Sequence, residues 1–143
     1  MGFKSDLELG ELYQQKFLDL IEYDTAEMAQ GCFKPYDIKL VYQGQEMFFE
    51  VKCDRISHRT GNMVIEHTCN GKPSGITTTT ADYWVYFPIG LPYCLVIPVK
   101  RIRKYIKMGK YLCDRRGGDG FRSQMYLMSM ELFSDCRYEL SQT

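Results

Sequence analysis

Asp37, Glu50 and Lys52 are the residues of this 143-residue chain whose types and spacing could do chemistry together. Two carboxylates side by side bind a hard divalent cation through oxygen, and an ammonium beside them can orient a water or steady a negative transition state. The stretch Pro35 to Lys52 supplies the means of bringing them together. Residues 38–42 and 45–52 are β-branched, aromatic or alternating, and Gln43-Gly44 between them reads as a two-residue hairpin turn in which glycine supplies positive φ. With Tyr42 paired to Gln45, successive cross-strand partners keep a constant sum of residue numbers, so Asp37 falls opposite Glu50. Strand alternation puts Lys52 on the face of Glu50 and sends Met47, Phe49 and Val51 the other way into a core. Like charges directly opposite are destabilising, so something must compensate. Two readings stay open: a bound divalent cation, or neutralisation by Lys52 or Lys39 at an exposed sheet edge. The triplet alone decides little, because Asp37-Ile38-Lys39 is a second acid-x-Lys run in a chain rich in Glu and Lys.

Asp37, followed by Glu50-Val51-Lys52 after an apolar strand, resembles the signature of the PD-(D/E)XK nuclease superfamily, with Pro35-Tyr36-Asp37 in place of its Pro-Asp. The similarity is to small phage-type members and archaeal Holliday-junction resolvases, over roughly residues 5–107. It implies a restriction-endonuclease-like α/β fold, a mixed β-sheet with a central hairpin flanked by helices. It also implies divalent-metal-dependent hydrolysis of DNA phosphodiester bonds, with structure-specific action on branched or junction DNA. Mg2+ or Mn2+ would be held by Asp37, Glu50 and the Val51 carbonyl, with Glu11 joining through water. Lys52 would complete the catalytic set. In relatives, a Glu on the amino-terminal helix leans over the hairpin. Glu11, after Gly10, is the candidate here, yet the relatives' spacing to core apolar residues falls on Gln14, and Glu8 lies a turn before Glu11. The contribution of the helix stays open among the three. So do two other functions: a noncatalytic nucleic-acid- or protein-binding module on the same fold, and an RNA endonuclease. Resolvase-like members suggest a homodimer.

The composition bounds these readings. A single domain is expected from this length, and 45% hydrophobic residues are enough for a core. No apolar run is long enough to span a bilayer, and residues 1–20 are charged where a signal peptide would be apolar, so a soluble cytoplasmic protein is expected, in the host cytoplasm if phage-encoded. Six dispersed cysteines without a Cys-x-x-Cys pair read as free thiols of a reducing compartment. Net charge is zero, but residues 98–122 hold nine Lys or Arg against Asp114 and Asp119, which leaves the rest of the chain acidic. That asymmetry predicts one basic surface, for phosphate contact or as a solvated helix face. Arg55, Arg59, Ser74, Thr78, Lys100, Arg103 and Lys104 are the candidate nucleic-acid contacts.

The elements that must position these residues follow from periodicity. Residues 5–23 predict an amphipathic helix with Leu9, Leu12, Tyr13, Phe17, Leu20 and Ile21 as its apolar stripe and Ser5 with Glu8 as a capping box. Residues 28–33 predict a first strand. Residues 53–61 predict a polar loop carrying Arg55, His58 and Arg59, with surface roles for His58 and His67. Residues 62–68 predict a third strand whose Glu66 approaches the acids. Residues 74–80 predict a hydroxyl-rich loop and short helix near the substrate backbone, since hydroxyls position phosphates without reading bases. Strands at 83–87 and 94–97 precede a helix at 98–107 opened by Pro98, with Val99, Ile102 and Ile106 inside. Residues 115–120 predict a basic loop without a P-loop ending, and 124–133 a terminal strand.

Overall fold

The computed structural model describes residues 6–31, 34–117, 120 and 122–140. Its centre is the expected hairpin, β2 (Ile38–Tyr42) and β3 (Gln45–Asp54), in the register Tyr42 with Gln45 through Ile38 with Phe49. Gln43 and Gly44 both take positive φ, 50° and 80°, the tight turn that matches the twist of the flanking strands. The left-handed Gln43 is held by its backbone N–H, which donates to Asp24 Oδ2 at 2.8 Å.

Around the hairpin runs a six-stranded mixed sheet in the order β1-β2-β3-β6-β7-β10, built with β1 (Thr25–Met28), β6 (Tyr83–Pro88), β7 (Tyr93–Pro98) and β10 (Arg137–Glu139). Among the described residues, only the β3–β6 pairing of this sheet is parallel. A parallel pair needs a long crossover, and here residues 55–82 supply it. They form the short helix α2 (Ser57–Thr60), strands β4 (Asn62–Cys69) and β5 (Lys72–Pro73), and a 3-10 turn at Gly75–Thr77. β4 and β5 join β8 (Cys113–Gly117) and β9 (Ser123–Ser129) in a second sheet, ordered β5-β4-β9-β8. The mixed α/β architecture agrees with the sequence; the second sheet is new. It takes the strand at 62–68 and the strand at 124–133, which ends at Ser129 and gives way to a 3-10 segment, Met130–Cys136. It also takes Arg115 and Arg116 out of the expected loop and into a strand.

Two apolar layers result from strand alternation. On one face of the large sheet, Phe49, Val51, Val85 and Phe87 pack under α1 (Asp6–Leu20); on the other, Trp84, Tyr86, Leu95 and Ile97 meet Met63, Ile65 and Met128 of the second sheet and Ile102 of α3 (Val99–Lys107). The helix α1 differs from expectation in its rotation. Gln14, Phe17 and Leu18 are buried while Leu12 is 38% exposed, so the face against the sheet is centred nearer Gln14 than the predicted stripe. The first strand is likewise displaced, because pairing with β2 sets it at 25–28. The Ser5 cap and residues 32–33 lie outside the described residues. Cys69, Cys94, Cys113 and Cys136 are free thiols, and no described helix is long and apolar enough to cross a membrane.

Gly75 shows how tightly the crossover folds on itself. Its φ is +52°, and a Cβ there would overlap the Glu66 carbonyl oxygen, whereas Gly10 in α1 has open space around it. Gly75→Ala should therefore lower stability by about 2 kcal/mol or more, and Gly10→Ala should raise it by roughly 0.5–1 kcal/mol. Urea unfolding of the two variants measures both signs.

Candidate active site

One step beyond the Ile38–Phe49 pair, Asp37 reaches the level of Glu50, and its backbone N–H donates to the Phe49 carbonyl at 2.9 Å. Asp37, Glu50 and Lys52 line one cleft of about 690 Å3, together with Lys34, Glu66, Lys72, Ser74, Thr78 and Thr79. The hairpin forms its floor, and the crossover forms its wall.

Each carboxylate is held by a different set of partners. Asp37, with a side chain 7% exposed, accepts from the Val51 backbone N–H at 2.7 Å through Oδ2 and pairs with Lys34 Nζ at 3.4 Å through Oδ1. Glu50, with a side chain 12% exposed, pairs with Lys52 Nζ at 3.3 Å through Oε2. Its Oε1 lies 3.2 Å from Thr79 Oγ1, which can also donate to the Pro35 carbonyl at 3.2 Å. Burial pushes the Glu50 carboxyl above its ordinary value; Lys52 opposes this, and the charge of Asp37 reinforces it. Burial also disfavours the Lys52 ammonium, but Glu50, Asp37 and Glu66 outweigh that effect and raise it. Lys52 therefore carries its charge at neutral pH. Its Nζ also lies 5.6 Å from the centre of the Trp84 ring, a cation–π contact that fixes its direction over the buried indole. Lys39 does not serve the acids: it pairs with Glu46 at 2.9 Å and Glu27 at 4.0 Å on the outer part of the hairpin.

Glu66 enters from β4, its two oxygens accepting from Ser74 Oγ at 3.0 Å and Ser123 Oγ at 2.6 Å. Among the described residues, no three His, Cys, Asp or Glu side chains gather as a ready metal cage. The donor set suits a cation that takes two carboxylates and completes its shell with backbone oxygen, water and substrate, as Mg2+ usually does. Each oxygen of Asp37 and Glu50 keeps a lone pair after its present bond.

The other expected residues are dispersed. Ser74 and Thr78 line the cleft, but Glu11 and Gln14 do not. The helix runs antiparallel to β3, with Phe17 against Phe49 and Tyr13 against Phe87, the strand partner of Cys53. Glu11, exposed, continues the line of buried Gln14 and Leu18 one turn further, toward the end of β3 on the α1 side of the sheet. Arg55 lies on that side too, close enough to Tyr13 to act on its hydroxyl. Arg59 is exposed on α2. Lys100 and Lys104 are exposed on α3, where Lys100 borders a second cleft beside the hairpin. Arg103 is committed to backbone carbonyls of the crossover. His67 is half-buried; its ring nitrogens reach Asp114 Oδ1 at 2.8 Å and Thr68 Oγ1 at 2.7 Å, and it packs on Tyr126.

Sequence reasoning missed Lys34 and Lys72 as cleft cations and Thr79 as the partner of Glu50. Lys34 carried a usable signal, three residues before Asp37 across a Pro35 turn. Thr79 carried none within a run of four threonines.

No family model matches the chain, and no curated protein matches it. Its fold is similar to the solved structure of a bacterial homing endonuclease, I-Ssp6803I, with a TM-score of 0.55 and 20% sequence identity over 88% of this chain and 77% of that chain. At that identity the likeness is one of fold.

Thr79 Oγ1 also accepts from the buried Ala81 N–H at 3.1 Å. Thr79→Val leaves that donor unpaired and should cost about 1–3 kcal/mol, whereas Thr79→Ser keeps the hydroxyl and should cost less than about 1 kcal/mol. Thermal and urea unfolding of the pair gives the comparison.

Proposed function

We propose that this protein is a PD-(D/E)XK-type nuclease that hydrolyses DNA phosphodiester bonds with Mg2+ or Mn2+. The observation that carries the reading is the buried Asp37 and largely buried Glu50 side chain on one sheet face, with Lys52 beside them in an open cleft. A binding module has no use for apposed acids, which cost stability wherever they are not used. The fold likeness to a homing endonuclease supports the scaffold of this reading.

In the proposed mechanism Asp37 and Glu50 would hold the cation, with the Val51 carbonyl beside them, whereas Glu11, on the α1 side of the sheet, stands outside the cleft that holds these acids. When bound, the cation lowers the pKa of its water and neutralises charge on the scissile phosphate. Lys52, kept protonated by its acidic neighbours, orients the attacking water and stabilises charge building on the phosphate oxygens. Val51 donates its N–H to Asp37 and so fixes the carboxylate plane. Lys34 and Lys72 border the cleft and are placed to meet flanking phosphates, and the hydroxyls of Ser74 and Thr78 to position the backbone. No covalent nucleophile is needed.

Asp37→Ala or Lys52→Ala should each lower metal-dependent cleavage by at least about 100-fold with the circular dichroism of the native fold retained. The assay spans duplex, nicked, branched and single-stranded DNA, and RNA. Full activity in either variant removes the site assignment, and a wild-type protein that binds DNA but cuts none of these substrates is the noncatalytic module instead. Glu11→Ala and Gln14→Ala in the same assay identify the contribution of the helix.

Replacing Lys100 and Lys104 together by Glu should weaken DNA binding and reduce the slope of log affinity against log salt by about one to two. An unchanged slope returns these lysines to a solvated helix face.

A further inference from the structure

Arg103 belongs to the most basic segment of the chain, and its position on α3 suggests a phosphate contact. Its bonds point elsewhere. Nε and Nη2 donate to the Ile76 carbonyl at 3.1 and 2.8 Å, and Nη2 donates also to the Thr79 carbonyl at 2.8 Å. Three of the five guanidinium N–H groups are thereby directed at the backbone. Ile76 is the middle residue of the 3-10 turn and Thr79 follows its C-cap, Thr78, so both carbonyls belong to the stretch where a short helix runs out of internal partners.

That turn is the part of the crossover that touches the acids. Thr79 Oγ1 reaches Glu50 Oε1, Thr80 N–H donates to the Pro35 carbonyl at 2.9 Å two residues before Asp37, and Ser74 Oγ donates to Glu66. Held from α3 through Arg103, the turn is tied to Glu50 and to the chain entering Asp37.

Resting on the nuclease reading, we propose that Arg103 is a positioning residue, a clamp from α3 onto the crossover that keeps Thr79 aimed at Glu50, and not a contact to the nucleic acid. The chemistry separates the two roles. A phosphate contact tolerates Lys as a point charge, whereas one oxygen met by two N–H groups beside a second carbonyl calls for the planar fork of Arg.

The test compares Arg103→Ala, Arg103→Lys and Lys104→Ala with the wild type, and Arg103→Gln replaces the Ala variant if that fails to fold. Three quantities are read: amide hydrogen exchange across residues 76–81, the salt slope of DNA binding without metal, and kcat and KM with Mn2+. Both Arg103 variants should speed exchange by at least about tenfold. They should also lower kcat by at least about tenfold, hold KM within about twofold and leave the salt slope unchanged. Lys104→Ala should lower the slope and spare the exchange. Wild-type kcat in Arg103→Lys, a slope reduced by about one in Arg103→Ala, or unaltered exchange overturns the clamp. Exchange and salt slope do not depend on turnover, so an inactive wild type would remove the nuclease reading while those two measurements still decide the role of Arg103.

Discussion

The structure depends on a buried conflict, Asp37 set against Glu50 on neighbouring strands. Two carboxylates with side chains 7% and 12% exposed lose most of their hydration, and the charge of Asp37 raises the cost of ionising Glu50. The chain answers with local partners of separate origin. Asp37 takes a backbone N–H from β3 and the ammonium of Lys34; Glu50 takes Lys52 and a threonine hydroxyl from the crossover. The compensation is incomplete at Glu50, whose carboxyl stays displaced upward. A hydrophobic pair at these positions would stabilise the hairpin more readily, since buried charges seldom repay their desolvation. Under the proposed function that penalty is offset by the cation the two acids would hold.

Topology makes the cleft possible. The parallel pairing of β3 with β6 forces the chain to travel from one end of the sheet to the other, and that excursion carries Glu66, Ser74, Thr78 and Thr79 over the face on which Glu50 and Lys52 stand. The opposite face is sealed by α1, so the acids have solvent on one side and packed aromatic rings beneath. Trp84 marks the boundary. It is 1% exposed, belongs to the core between the two sheets, and lies under the Lys52 ammonium. The cation is oriented by the apolar layer as well as by its acids.

The hairpin was legible in sequence because every local signal agreed: a two-residue turn fixes register, alternation fixes faces, and a one-residue slip would bury Lys52 and Glu50 in place of Val51 and Phe49. The second sheet was not, since antiparallel strands at 62–69 and 123–129 are distant in sequence and nothing local announces their pairing. The rotation of α1 was ambiguous for another reason. Leucines at 7, 9, 12, 18 and 20 ring much of the helix, and which of them packs depends on the sheet beneath; Leu18 is buried and Leu7 and Leu12 are not. The site residues divide along the same line. Asp37, Glu50 and Lys52 follow from strand geometry, whereas the choice of Thr79 from four threonines depends on the phase of a 3-10 turn set by Gly75 and Arg103.

The basic segment shows why composition overstates a charged surface. Of its cations, Arg101 forms a two-pronged pair with Asp135 at 2.7 Å, Lys110 lies 4.9 Å from the ring centre of Tyr105, and Arg103 is spent on carbonyls. Each is a long side chain that covers apolar surface or braces backbone before it offers charge to solvent. The cations bordering the acids come instead from Lys34, Lys52 and Lys72, none of them in the basic run. Charge density along the sequence and charge density around the cleft are therefore separate quantities, and the second is set by the hairpin and the crossover that bring distant lysines to one rim.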